Sequence, residues 1–524
     1  MPFWALACLS ILLLFVASCS GSATSSFGTS QESSETSQEK EGGGEGEEEA
    51  ASATERPNII FVLTDDLDYA SVQKMPEINS LLRDEGVSLE NTFISHPICC
   101  PSRSTILTGL YDHNHNVLGN RPPDGGFQKF LSEGHEEDSI AVRLQEGGYQ
   151  TGFFGKYLNG YPAGDPTHVP PGWNEWYGKL DEQKLHNYGI NENGEDVSYG
   201  SEPEDFFTDV LSGKATRFVQ EMALGDQPFF AYVAPTAPHA PATPAERHKG
   251  AFVDEEAPRP PSFNEEDVSD KPSWIRSSGS LFEEDVSGID DRYQERLESM
   301  LAVDEMVASL VEELEAAGEL DNTYIFFTSD NGFEQGEHRI PVGKDRPYEE
   351  SARVPFFVRG PGIAGGSEVE QLAVNTDFAP TFADLANVEF PADGRSLAPL
   401  LRGEHGEQSS WRSSVLLEKL PTEDNGEEAN GKGRSKAKGK AKGKGKAKSE
   451  AYVSPAFEAI RTETYKYVEY ENGETELYDL EEDPYELESI HESADSSLLE
   501  DLKTRLEALR SCSEEGCREA EDAP

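Results

Sequence analysis

An α/β fold, with a mostly parallel sheet covered by helices on both faces, is the architecture this chain predicts, because short apolar β-rich runs alternate with helical patterns along it. The runs Asn58-Ile59-Ile60-Phe61-Val62-Leu63, Pro228 to Val233 and Tyr324-Ile325-Phe326-Phe327-Thr328 read as strands. They lead to polar residues, Asp65-Asp66, His239 and Asp330-Asn331, placed where open α/β sheets form a ligand crevice, past the strands' carboxyl ends. Size agrees: 524 residues, 36% hydrophobic and 9% aromatic, suffice for one large domain and a smaller one, each with its own core.

The chain opens with an apolar run, Phe3 to Val16, too short for a comfortable membrane span and followed by Ala17-Ser18, the pattern of an export signal over residues 1–18. Val16-Ala17-Ser18-Cys19 is similar to a bacterial lipobox, in which Cys19 would be the lipidated first residue of the mature chain. Met1-Pro2-Phe3-Trp4 carries no Lys or Arg, so plain secretion with cleavage near Cys19 stands as the alternative. Residues 19–55 are Ser, Thr, Gly and Glu with almost no apolar side chains, and cannot bury enough surface to offset their ordering entropy. They read as a disordered tether to an α/β domain over 56–412.

Within that domain Leu297, Met300, Leu301, Val307, Leu310, Val311 and Leu314 recur at helical spacing between Tyr293 and Ala317, with Gly318 as the stop. This helix reads as packing. After about Ser413 the character changes to a flexible linker, 413–450, in which Lys432 to Lys448 alternates Lys or Arg with Gly, Ala and Ser. Such a basic insertion could attract a polyanion or an anionic surface, and a solvated loop explains it as well. In a C-terminal subdomain, 451–524, Tyr465 to Tyr470 and Thr475 to Tyr478 flank Glu471-Asn472-Gly473-Glu474, a hairpin through its Asn-Gly turn. Leu498, Leu499, Leu502, Leu506 and Leu509 then give a closing helix. Of the six cysteines, Cys8 falls in the signal, and Cys512 and Cys517 are placed for a local disulfide in an exported protein.

A formal net charge of -56 at pH 7 argues against nucleic acid as a partner, because a phosphate backbone would be repelled over most of the surface. A polyanionic ligand faces the same repulsion unless basic residues concentrate at its site.

The most informative stretch is Cys99-Cys100-Pro101-Ser102-Arg103 with Leu107-Thr108-Gly109. Pro101 presets φ for a helix start, and an anion near Cys99 would meet both the free N–H groups of a helix N-terminus and a guanidinium. For a bare Cys-Cys-Pro, a buried cysteine pair before an ordinary helix cap is the simpler reading. The whole string, C-x-P-S-R-x-x-x-L-T-G, resembles the signature of the type I sulfatases, with Cys99 at the position those enzymes oxidise to formylglycine. The resemblance runs from about Pro57 to about Leu487, and Leu477-Tyr478-Asp479-Leu480 with Asp483-Pro484 is similar to the end of the family's small C-terminal sheet. It implies an alkaline-phosphatase-like fold.

Asp65 and Asp66 are adjacent carboxylates after a strand, costly unless a cation lies between them, although such a pair alone also fits a solvated loop or a helix cap. Asp330-Asn331-Gly332 alone is equally a turn. Together they supply four hard oxygen donors suited to Ca²⁺, or to Mg²⁺ with less freedom of geometry. The resemblance implies that Asp65, Asp66, Asp330, Asn331 and the formylglycine at Cys99 hold one calcium ion. It implies further that Arg103, Lys156 and Lys344 bind sulfate and that His239, in Ala237-Pro238-His239-Ala240-Pro241, protonates the leaving group. His338 in Gly336-Glu337-His338 is a weaker candidate for a substrate contact.

The implied reaction is sulfate monoester hydrolysis: hydrated formylglycine attacks sulfur, the alcohol leaves, and elimination of sulfate restores the aldehyde. One departure is that many members carry histidine two residues after the motif lysine, where this chain has Leu158 followed by Asn159, which leaves the base for elimination unassigned. Gly155-Lys156-Tyr157-Leu158-Asn159 and Tyr111-Asp112-His113-Asn114-His115 are similar to sulfatases of glucosamine 6-sulfate and heparan sulfate, which tilts the substrate toward a sulfated amino sugar, with an aryl sulfate also in view. The implied partners are a sulfated small molecule or glycan, a formylglycine-generating enzyme during maturation, and a membrane through the lipid anchor at Cys19. A phosphodiester or phosphonate monoester hydrolase of the same superfamily, or a non-catalytic anchored binding protein, are the rival readings.

Overall fold

The computed structural model describes residues 56–181, 183–404, 411–422 and 452–524. The export signal, Cys19, the 19–55 tether and the Lys432 to Lys448 tract lie outside the described residues. Ten strands form the main sheet: β1 (Asn58–Thr64), β2 (Val87–Phe93), β3 (Gln150–Gly155), β4 (Glu175–Lys179), β5 (Gly189–Glu192), β6 (Glu195–Ser198), β7 (Phe229–Ala234), β8 (Thr323–Ser329), β9 (Phe357–Arg359) and β10 (Ser367–Val374). Their order is β10-β2-β9-β8-β1-β7-β3-β4-β5-β6. β1 pairs parallel with β7 and β8, β3 with β7 and β4, and β10 with β2, whereas β9, β5 and β6 run antiparallel to their neighbours.

β1 shows why its sequence is apolar at successive positions. Ile59, Phe61 and Leu63 pack into one core and Ile60 and Val62 into the core on the opposite face, so both faces of the strand are buried. On the first face lie the helices α1 (Cys99–Thr108), α2 (Ile140–Glu146) and α5 (Phe378–Ala386), and on the second α3 (Phe207–Met222) and α4 (Glu283–Ala317). α4 begins ahead of the apolar stripe, because Val286 and Ile289 continue its spacing and Asp285 caps the Phe282 N–H at 3.0 Å. It ends at Gly318 in the left-handed conformation, at φ 77°. Among the described residues no helix is long and apolar enough to cross a membrane.

The smaller sheet has antiparallel strands in the order β11 (Ser414–Lys419), β12 (Phe457–Thr462), β13 (Tyr465–Tyr470) and β14 (Thr475–Asp479). Its β13–β14 turn carries Gly473 at φ 84°, as the Asn-Gly signal requires. One face packs on Phe93, Trp274 and Tyr348 of the main domain, and the other is covered by α6 (Ser496–Leu509) and by α7 (Glu515–Glu521), whose Cys517 forms a disulfide with Cys512. β11 lies inside the stretch expected to be linker. Val415, Leu416 and Leu417 are buried on alternate faces, so the strand has no polar side for a two-residue period to reveal.

Candidate active site

Four adjacent parallel strands, β8, β1, β7 and β3, deliver the site at their carboxyl ends. Asp65 and Asp66 follow β1, Lys156 follows β3, His239 follows β7, and Asp330 and Asn331 follow β8. The ladders continue past the strands: Asp65 N–H donates to Ala237 O at 3.1 Å, Asp330 N–H to Thr64 O at 3.0 Å and Lys156 N–H to Ala234 O at 2.9 Å. Backbone pairing therefore fixes three of these positions before any side chain acts.

Cys99 opens α1, a helix whose ten residues are all buried. Its Sγ lies 3.3 Å from Asp65 Oδ1 and 2.7 Å from Lys344 Nζ. Lys156 Nζ donates to Asp65 Oδ2 at 2.8 Å, and Arg103 Nε donates to Asp330 Oδ2 at 2.8 Å while its Nη1 holds the Lys156 carbonyl at 2.7 Å. Lys344 also pairs with Asp66 Oδ1, which accepts from Asn331 Nδ2 at 2.9 Å. His239 Nε2 lies 3.8 Å from Asp66 Oδ2, and its 27% exposed side chain stands on the open side of an otherwise buried cluster. Among the described residues, Arg103 Nη2 is buried without a hydrogen-bond partner.

Three carboxylates thus face three cations in a site shielded from water. Burial raises Asp65, but Lys156, His239 and Arg103 outweigh it and hold the carboxyl well below its usual range. Burial and then Asp330 push the Cys99 thiol well above its ordinary range, against Lys156 and Lys344. Ligand atoms of Asp65, Asp66, Cys99 and His239 all lie within 4.8 Å of one another. With Asp330 and Asn331 beside them, this hard, anionic, buried oxygen set suits a divalent cation of the calcium or magnesium type.

A family model described as Sulfatase matches residues 57–388. The chain belongs to the sulfatase family. This sulfatase is 33% identical over 495 residues to N-acetylglucosamine-6-sulfatase of Capra hircus, covering 90% of this chain and 86% of that one. It is 36% identical to the extracellular sulfatase SULF-1 homolog of Drosophila melanogaster, over 71% of this chain and 34% of that longer protein. Its fold matches the solved structure of BT4656 in complex with its substrate D-glucosamine-2-N,6-O-disulfate, with a TM-score of 0.71 and 25% identity over 89% of this chain and 99% of that one.

The structure of this sulfatase brings Asp65, Asp66, Cys99, Arg103, Lys156, His239, Asp330, Asn331 and Lys344 together. His338 stands apart, fully buried, its Nδ1 2.9 Å from Glu265 Oε2 and its ring stacked on Tyr348 at 4.2 Å. Leu158 is buried in the apolar core, so that position brings no titratable group to the site. Sequence reasoning missed Arg296. This buried residue of α4 donates to the carbonyls of Asp66 and Pro238 and to Asp68 Oδ2, tying the β1 and β7 loops to a helix read as packing alone. An arginine between Tyr293, Leu297 and Met300 on an apolar face was the available signal.

Proposed function

We propose that this sulfatase hydrolyses the sulfate monoester of a sulfated amino sugar, most directly a 6-O-sulfated glucosamine, using formylglycine made from Cys99 and a calcium ion. The observation that carries the reading is the buried convergence of Cys99 with Arg103, Lys156 and Lys344 beside the carboxylates of Asp65, Asp66 and Asp330. Formylglycine would supply the nucleophile for sulfur, and a cation held by Asp65, Asp66, Asp330 and Asn331 would supply fixed positive charge opposite the sulfate oxygens. Arg103, Lys156 and Lys344 orient the sulfate and offset its charge as the ester bond breaks, in a site where burial keeps those interactions strong. His239, on the open side, donates its proton to the departing sugar oxygen. The amino-sugar preference rests on relatives named for N-acetylglucosamine 6-sulfate and on the glucosamine disulfate bound by BT4656. Export rests on the apolar segment Phe3 to Val16, lipidation on Cys19, and maturation requires a formylglycine-generating enzyme in the host.

Purified protein is assayed on glucosamine 6-sulfate, an aryl sulfate and a phosphonate monoester, with peptide mass spectrometry of the Cys99 peptide. The expected result is turnover of the sulfated sugar, aldehyde at Cys99, loss of activity in Cys99→Ala and near-parent activity in Cys100→Ala, whose side chain packs in the core. An active enzyme whose Cys99 is wholly thiol would refute the mechanism, and faster phosphonate than sulfate turnover would favour the rival hydrolase.

A further inference from the structure

Lys344 is the one sulfate-binding cation in this site that comes from neither a strand end nor α1. It lies in the loop between β8 and β9, and its ammonium must reach Cys99 Sγ at 2.7 Å along a flexible four-carbon stem. The next residue, Asp345, has a left-handed backbone at φ 71°, a conformation that persists for a non-glycine residue only when its surroundings over-determine it. Those surroundings centre on His96, three residues before Cys99. His96 is buried, with Nε2 3.0 Å from Asp345 Oδ1 and Nδ1 on Asp112 Oδ2. The Asp345 N–H donates to Pro97 O at 2.9 Å, and Lys419 of β11 pairs with the other Asp345 oxygen. Beside this bridge, Glu418 N–H donates to Ser95 O at 2.8 Å, and Arg346 Nη1 holds the Lys344 carbonyl at 2.8 Å.

We infer that His96 is a positioning residue: as an imidazolium bridging Asp112 and Asp345, it locks the Lys344 loop onto the Cys99 loop and so aims the Lys344 ammonium at the sulfate. A neutral imidazole donates from only one nitrogen, whereas both His96 nitrogens face carboxylates, so the doubly protonated ring satisfies the site. Burial works against that charge, but Asp112, and then the hydrogen bond to Asp345, outweigh it and push His96 up to about 10. The bridge uses no group of the reaction, and it gives the small sheet a part in catalysis through Lys419. The inference rests on the proposed role of Lys344 in sulfate binding.

The test is a double-mutant cycle on a sulfate ester with His96→Ala, His96→Gln, Lys344→Ala and the double variant, rates being normalised to the fraction of Cys99 converted. His96→Ala is expected to lower kcat/KM by roughly 10–100-fold, since misplacement of a binding group by about 1 Å can cost that much. In the Lys344→Ala background the same change should cost less than about threefold, because the group it aims is gone. His96→Gln, able to donate to one carboxylate, should fall between. Hydrogen exchange is the readout that does not depend on turnover: His96→Ala should accelerate exchange across 343–346. Equal losses in both backgrounds, or unchanged exchange in that loop, would overturn the inference. A parent that fails to turn over any sulfate ester while the loop still loosens would instead overturn the proposed function.

Discussion

At the scale of single residues, two positions of the site depend on a left-handed backbone, one at a cost and one through a glycine. Asp66 has φ 68°, and its N–H donates to Asp330 Oδ1 at 3.1 Å while Arg296 takes its carbonyl. Strain of this kind costs about 1–3 kcal/mol and marks places where function is pre-organised. Gly155 carries no such strain as glycine: at φ 115° it ends β3 against β7, but a Cβ there would lie 2.0 Å from the Ala234 carbonyl oxygen. Gly155→Ala must therefore displace the backbone that carries Lys156. We expect a loss of about 2–4 kcal/mol in unfolding free energy and at least a tenfold drop in kcat/KM. Parent-like denaturation and kinetics would show that β3 can shift without cost.

At the scale of elements, the short helix Asp112–His115 that follows α1 docks the C-terminal subdomain. Its His113 lies 2.9 Å from Glu418 Oε2 in β11 and 3.1 Å from the Cys512 carbonyl, and the neighbouring Tyr111 hydroxyl donates to Glu521 Oε1 at 2.6 Å. Burial lowers His113, but hydrogen bonding to and the charge of Glu418, with the Cys512 carbonyl, prevail and raise it to about 9. Against an unfolded value of about 6.5, the fold binds the extra proton between these limits. The stabilisation is thus fully present below about pH 6.5 and is lost as pH rises through about 9. It amounts to at most roughly 3.5 kcal/mol, about 2.5 pH units of separation at about 1.4 kcal/mol each. Thermal melts of the parent and His113→Gln should differ clearly at pH 6 and converge near pH 10. A gap independent of pH would assign the contact to packing instead.

At the scale of the whole molecule, the carboxylates collected at the ends of β1 and β8 would make folding and a bound cation interdependent. Asp65, Asp66 and Asp330 are all nearly inaccessible to solvent, so a divalent ion that binds only the folded chain stabilises it by mass action. Chelation should lower the melting temperature and abolish turnover together, and calcium add-back should restore both. At about a hundred times its Kd, calcium would contribute roughly 3 kcal/mol. Full activity in a preparation verified free of metal would dispose of this site.

The sequence by itself determined the class of sheet, the strands β1, β7 and β8, the closing helix and hairpin, and nine residues that converge in the site. The elements rest on local signals, apolar runs, turn pairs and helical spacing, whereas most of the site residues were legible only through motifs that resemble those of the sulfatases, since alone a lysine such as Lys156 or Lys344 reads as solvent-exposed. Tertiary structure alone decided that β3 neighbours β7, that β11, inside the expected linker, pairs with β12 in the small sheet, and that His338 pairs with Glu265. It also decided that Arg296 meets the Asp66 carbonyl and that His96 meets Asp345, contacts that span up to 249 positions, as between His96 and Asp345. No short window carries such pairings, because they follow from which faces the folded chain covers and which buried charges then need a partner.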